Sequence, residues 1–191
     1  MTEAGKTAAP DHVPSPERQF YFGSLMKNSR NTTAERTARF GMFVALAMIM
    51  SYIETLIPIS FGVPGIKLGL ANLVTMVCLF SEGPVPAAAV SLTRIVLTGL
   101  TFGNLSSMLY SLAGGVLSLA CMIAARRSGL FGKTGVSVIG GVMHNAGQLA
   151  VAAAVVENAG VFWYFPVLAV SGIVTGALIG LLAALVMERL P

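Results

Sequence analysis

Charge is what this chain has least of. Only 10% of its 191 residues are Asp, Glu, Lys or Arg, whereas a soluble domain carries about a quarter, so a solvated globular surface is excluded for most of its length. Aspartate is scarcer still, with Asp11 standing alone near the N-terminus. No two acidic residues lie close together in any apolar run, so no carboxylate-held metal site is expected. Cysteine is nearly absent. Cys78 and Cys121 sit in separate apolar runs without a CxxC pattern, which offers neither a zinc site nor a disulfide framework, and both read as small packing residues. The phosphate-cradling pattern GxxxxGK[ST] is missing, so ATP use would fall to another subunit.

The N-terminal residues also lack the basic, apolar and small-residue succession of a secretory leader. They are polar and Pro-containing, and residues 1–35 are expected to be a disordered cytoplasmic tail ahead of a domain at 36–191. The net charge of +4 is not gathered into a basic face with interleaved aromatics, so no nucleic-acid partner is expected.

What the chain does have is long apolar runs. It is 55% hydrophobic with a mean hydropathy of +0.79, and a bilayer-crossing helix needs about 20 apolar residues. Six candidate spans follow, at about 38–58, 68–80, 86–101, 104–125, 134–156 and 163–187. The expected fold is an all-α integral membrane bundle of six transmembrane helices. The second and third runs are short, so they must be shielded by neighbours or broken at depth, as segments lining transporter sites often are.

Orientation comes from lysine and arginine, which are retained on the cytoplasmic side. With both termini inside, Lys6, Arg18, Lys27, Arg30, Arg36, Arg39, Arg126, Arg127, Lys133 and Arg189 are all cytoplasmic, leaving Lys67 and Arg94 as exceptions. A multi-pass plasma-membrane protein in contact with lipid is expected.

The exceptions are informative. Arg94 lies within "AAAVSLTRIVLTGL", where an arginine costs about 2.5–3.5 kcal/mol on insertion scales. In this topology Glu54, Lys67, Arg94 and Glu157 all fall in the outer half or rim of the membrane. Asn72, Asn104, His144, Asn145 and Gln148 join them, the last three sharing a helix face by their spacing. Together they describe a polar, outward-opening pocket for a small molecule. The structural alternative is that Glu54 with Lys67, or Arg94 with Glu157, form ion pairs that hold helices in register, with the amides as interhelical glue. Trp163 and Tyr164 fit an interfacial aromatic belt without any ligand.

Small residues mark two seams. "GIVTGALIG" places Gly172, Gly176 and Gly180 on one helix face, where another backbone can approach closely; packing within the bundle is the expected use. Gly41 and Ala45, with Ala47 on a neighbouring row, form a second seam.

The strings "PGIKLGLANLVTM" and "HNAGQL" resemble the Gx transporter family, a group similar to the substrate-binding S components of energy-coupling factor (ECF) transporters. Some members have carried the label heptaprenyl diphosphate synthase component I. The resemblance covers roughly residues 36–188. It implies a six-helix bundle capturing a small molecule at its outer side under the loop Ile59 to Lys67. It further implies docking through Gly41, Ala45 and Ala47 onto a membrane coupling (T) subunit driven by two cytoplasmic ATPases. A prenyl synthase activity does not fit, because condensing prenyl diphosphates requires carboxylate clusters around magnesium.

The expected function is therefore non-catalytic capture of a small, partly anionic metabolite, such as a vitamin, a flavin or an isoprenoid-related compound, with no cofactor. Lys67 and Arg94 would meet its negative groups, and His144, Asn145 and Gln148 would supply hydrogen bonds. Glu54 and Glu157 would balance those cations or bind a positive part of the ligand. Two rivals stand beside it: a membrane scaffold for a prenyl or quinone pathway enzyme, and a stand-alone transporter coupled to protons through Glu54, His144 or Glu157.

Overall fold

The computed structural model describes residues 33–56 and 69–189. Lys67, the loop from Ile59 to Lys67 and residues 1–32 of the expected tail lie outside the described residues. Among the described residues the chain forms α1 (Thr33–Leu56), α2 (Leu70–Ser81), α3 (Pro84–Thr101), α4 (Leu105–Ser128), α5 (Lys133–Val156), a 3-10 segment (Ala159–Tyr164) and α6 (Phe165–Arg189). All are helical, and no strand occurs among these residues. Five helical stretches, α1, α3, α4, α5 and the run Ala159–Arg189, are long and apolar enough to cross a membrane.

The chain divides into two units, Met1–Arg39 and Phe40–Pro191. In the first, the described residues are the opening turns of α1, where Glu35 and Arg39 pair at 3.6 Å one turn apart. Hydropathy points to a start near residue 38, whereas the helix opens at Thr33. Polar residues at i, i+4 spacing support these turns without apolar character. The second unit carries the bundle.

Its helix ends follow local chemistry. Asn104 and Ser107 form a reciprocal capping box at the start of α4: Asn104 Oδ1 accepts from Ser107 N at 2.7 Å, and Ser107 Oγ accepts from Asn104 N at 3.0 Å. That arrangement satisfies two donors the first turn leaves open. Gly129, at φ 69°, ends α4 in the left-handed conformation that glycine adopts without strain. Glu82 and Gly83 alone join α2 to α3, with Gly83 at φ 101° and Pro84 opening the next helix.

The short second run is explained by burial. α2 has 12 residues, about 18 Å of helix at 1.5 Å per residue, against a hydrocarbon core of about 30 Å. Residues Val74 to Leu79 are all buried in succession, as expected of a helix that is apolar all round. Its neighbours are α3 and α6. At its C-terminal end the Arg126 guanidinium donates to the Leu79 carbonyl and lies 4.9 Å from the centre of the Phe80 ring.

The closest crossing is between α5 and α6. A Cβ placed on Gly176 would lie 2.7 Å from Val138 Cα, and one on Gly180 would lie 2.7 Å from Thr134 Cα. Gly172 meets the backbone of Gly141 and Val142 in the same way. The glycine stripe of α6 is thus used within the bundle. Gly114 and Gly147 play the same part between α4 and α5, where a Cβ on Gly147 would lie 2.9 Å from Gly114 Cα.

Helix α1 differs, because it meets the bundle through side chains. Phe43, Ala47 and Ser51, one turn apart, are its buried stripe. This corrects one sequence expectation. Ala47 is fully buried in the core cluster that includes Phe43, Val77 and Val90, so it has no surface to offer a partner; six residues beyond Gly41, it points about 120° away from it round the helix. Gly41 and Ala45 do remain exposed.

Candidate functional site

The end of α1, the start of α2, the end of α3 and the start of α4, together with α5 and Thr175 of α6, line an open cavity of about 370 Å³. Seven of the nine candidate side chains expected from sequence line it: Glu54, Asn72, Arg94, Asn104, His144, Asn145 and Gln148. Lys67 lies outside the described residues. Glu157 is placed elsewhere: it is exposed, does not line the cavity, and closes α5 in a left-handed conformation at φ 53°. The Arg94–Glu157 ion pair considered from sequence is therefore not made. Trp163 and Tyr164 are exposed in the 3-10 segment, outside the cavity lining.

Arg94 is the central feature. It is only 9% exposed, yet among the described residues no carboxylate lies within ion-pairing distance. Nη1 donates to Ser51 Oγ at 3.3 Å, while Nε is buried with no hydrogen-bond partner. One bond for a group with five N–H donors leaves a buried cation under-satisfied, and an unmet charged donor is costly in a low-dielectric interior. Glu54 lines the same cavity without reaching the guanidinium.

Several of the polar groups hold the cavity wall together. Glu54 Oε1 accepts from the backbone N–H of Gly69 at 2.6 Å, which places a negative charge at the N-terminus of α2, where the helix dipole favours it. Gly69 itself sits at φ 76°, a conformation that disfavours other residues. Asn145 Nδ2 donates to the Leu168 carbonyl at 2.7 Å and so ties α5 to α6. Asn104, which sequence placed in the pocket, owes much of its position to capping α4. Gln148 Nε2 lies 3.2 Å from His144 Nε2 on the next turn, and the ring nitrogen accepts when the imidazole carries its proton on Nδ1.

Sequence reasoning missed a set of hydroxyls. Ser51, Thr55, Thr98, Ser107, Ser111 and Thr175 also line the cavity. A signal was present: Ser51 and Thr55, Arg94 and Thr98, and Ser107 and Ser111 are each four apart, the spacing that puts two side chains on one helix face. The apolar part of the wall comes from Ile95, Phe102 and Met108. Tyr52 meets Phe102 edge-on at 5.6 Å between ring centres. Among the described residues, no group of three or more His, Cys, Asp or Glu is arranged to hold a metal ion.

Comparison with known proteins agrees with the sequence motifs. No curated protein and no solved structure matches the chain. Residues 43–186, the stretch that runs from the buried stripe of α1 to the last turn of α6 and includes every described cavity residue, match the family model for heptaprenyl diphosphate synthase component I. The chain belongs to the heptaprenyl diphosphate synthase component I family.

Proposed function

We propose that this chain is a non-catalytic membrane transport subunit, similar to an ECF S component, that captures a small and partly anionic metabolite for uptake. The observation that carries this reading is Arg94: a buried guanidinium with one hydrogen bond, facing a cavity also lined by hydroxyls, amides and an imidazole. Intramembrane ionisable groups are functional by default. Arg126, Arg127, Lys133 and Arg189 lie at the opposite helix ends, in or beside the last turns of α4 and α6 and the first of α5. The preference of such residues for the cytoplasm turns the cavity outward and puts both termini inside at the plasma membrane. In this reading α2 is the sixth span, shielded by α3 and α6. ATP would be used by two cytoplasmic partners through a coupling subunit.

The test is native mass spectrometry of the full chain, purified gently in lipid nanodiscs, with wild type beside Arg94→Ala. A co-purifying small molecule that the variant loses is expected; retention at equal occupancy would assign the cavity another role. The family's description, a synthase component, favours a second reading, a membrane partner of a prenyl pathway enzyme. Stable co-purification with such an enzyme, without any small molecule bound, would select it.

A further inference from the structure

We infer that one ordered water is bound inside the bundle beneath the floor of the cavity, held by Ser137, Ser118, Thr175 and Asn72, where it links α2 to α4, α5 and α6. Its presence does not depend on what the cavity takes. Space, polarity and an unmet buried hydroxyl point to it.

A second, smaller void of about 20 Å³ adjoins the cavity. The two share Gly69, Asn72, Gly141 and Thr175 as lining residues, so these four form the partition between them. A buried water needs about 10–15 Å³ for its centre, and the void therefore suits one molecule. Glycine makes the room. Gly140 and Gly141 on α5 and Gly176 on α6 line the void, and the bare backbone that lets α5 and α6 approach also leaves a gap beside their seam.

The lining is polar where an empty cavity would be apolar. Ser118 and Ser137 are both buried and line the void with Thr175 and Asn72. Ser118 Oγ donates to the Gly140 carbonyl at 2.8 Å, and Thr175 Oγ1 donates to the Ser171 carbonyl at 2.9 Å, so each oxygen can still accept. Ser137 differs from both. Thr75, Ser81 and Thr175 bond back to the carbonyl four residues earlier, a common recourse for helix hydroxyls, but the Ser137 hydroxyl makes no such bond and has no protein partner, although the residue is only 5% exposed. An unmet buried donor is costly, and a buried water makes about three hydrogen bonds to such groups. One water accepts from Ser137 and donates to the free lone pairs of Ser118 and Thr175. Asn72, on the partition, gives the same water a contact on α2, so the water also steadies a side chain that faces the cavity.

The experiment is millisecond X-ray radiolysis of the full chain in lipid nanodiscs, which turns a bound water into hydroxyl radical in place and oxidises the methionine beside it. Met122 is buried, lines the void and lies 3.6 Å from Ser118 Oγ through its sulfur. Met76 is fully buried and lines neither void nor cavity, so it reports the dry core. Mass spectrometry of the wild type is expected to show Met122 oxidised at least about tenfold faster than Met76. Ser137→Ala should slow Met122 severalfold and leave Met108, on the open cavity wall, unchanged. The same variant should lower the thermal unfolding midpoint, whereas in a dry void losing an unmet donor and gaining helix propensity would both raise it. Oxidation of Met122 no faster than that of Met76 overturns the bound water, and this comparison stands within the wild type even where the variant fails to fold. A Ser137→Ala protein with an unchanged Met122 rate, or with a raised midpoint, overturns it as well.

Discussion

Replacing Gly176 by alanine puts one methyl group where two helix backbones cross. Its Cβ would lie 2.7 Å from Val138 Cα and 2.8 Å from the Ser137 carbonyl oxygen. Carbon atoms rest at about 3.5–4.0 Å, so α5 and α6 must separate by roughly 1 Å, and backbone cannot rotate aside as a flexible side chain can. Overpacking of this kind costs about 1–3 kcal/mol, offset by up to about 1 kcal/mol from alanine's better helix propensity. The net expectation is a loss of about 1–2 kcal/mol. The consequence reaches the cavity, because Thr175 on α6 and Gly141, His144 and Gln148 on α5 all line it. The assay is thermal unfolding in nanodiscs, followed by intrinsic fluorescence, with Gly41→Ala as the internal control, since a Cβ at Gly41 meets nothing within 4 Å. Gly41→Ala should leave the midpoint unchanged or slightly raised. If Gly176→Ala is as stable as wild type, or Gly41→Ala is the more damaging change, the close-crossing account is wrong.

Further outcomes follow from the same geometry. Glu54→Ala removes the acceptor of the Gly69 N–H and should cost about 1–2 kcal/mol in denaturant unfolding, the range for a lost helix cap; Glu54→Gln, which keeps an acceptor oxygen, should recover most of it. Asn104→Ala breaks the capping box with Ser107 and should cost about 1 kcal/mol, with Asn104→Asp close to wild type. Arg126→Ala loses both the Leu79 carbonyl and the Phe80 ring, and hydrogen exchange at the end of α2 should accelerate, while Arg126→Lys should show an intermediate rate. For orientation, a cysteine at Leu130, exposed in the α4–α5 turn, should react with a membrane-impermeant maleimide only after the cell is opened, whereas one at exposed Trp163 should react in intact cells.

Most of the helical layout was legible in the residues themselves. Runs of apolar residues broken by Gly and Pro locate α1 to α6 to within a few positions, because burying a polar backbone in lipid leaves helix as the available local solution. Arg94 was legible as an anomaly, since an arginine inside "SLTRIVLT" must be explained by something outside its own helix, but that it makes no ion pair with Glu157 was not. What the residues by themselves could not reveal is which polar groups serve the cavity and which serve the fold. Glu54 looked like a ligand contact and also caps α2; Asn145 looked the same and also ties α5 to α6. Glu157 looked like a member of the set and stands apart. A sequence orders residues along one dimension, so spacing can assign them to a common helix face but not decide which face another helix covers. That decision belongs to tertiary packing, where glycines of α5 and α6 bring two backbones together, Ala47 turns inward, and Ser51 from α1 reaches the arginine of α3.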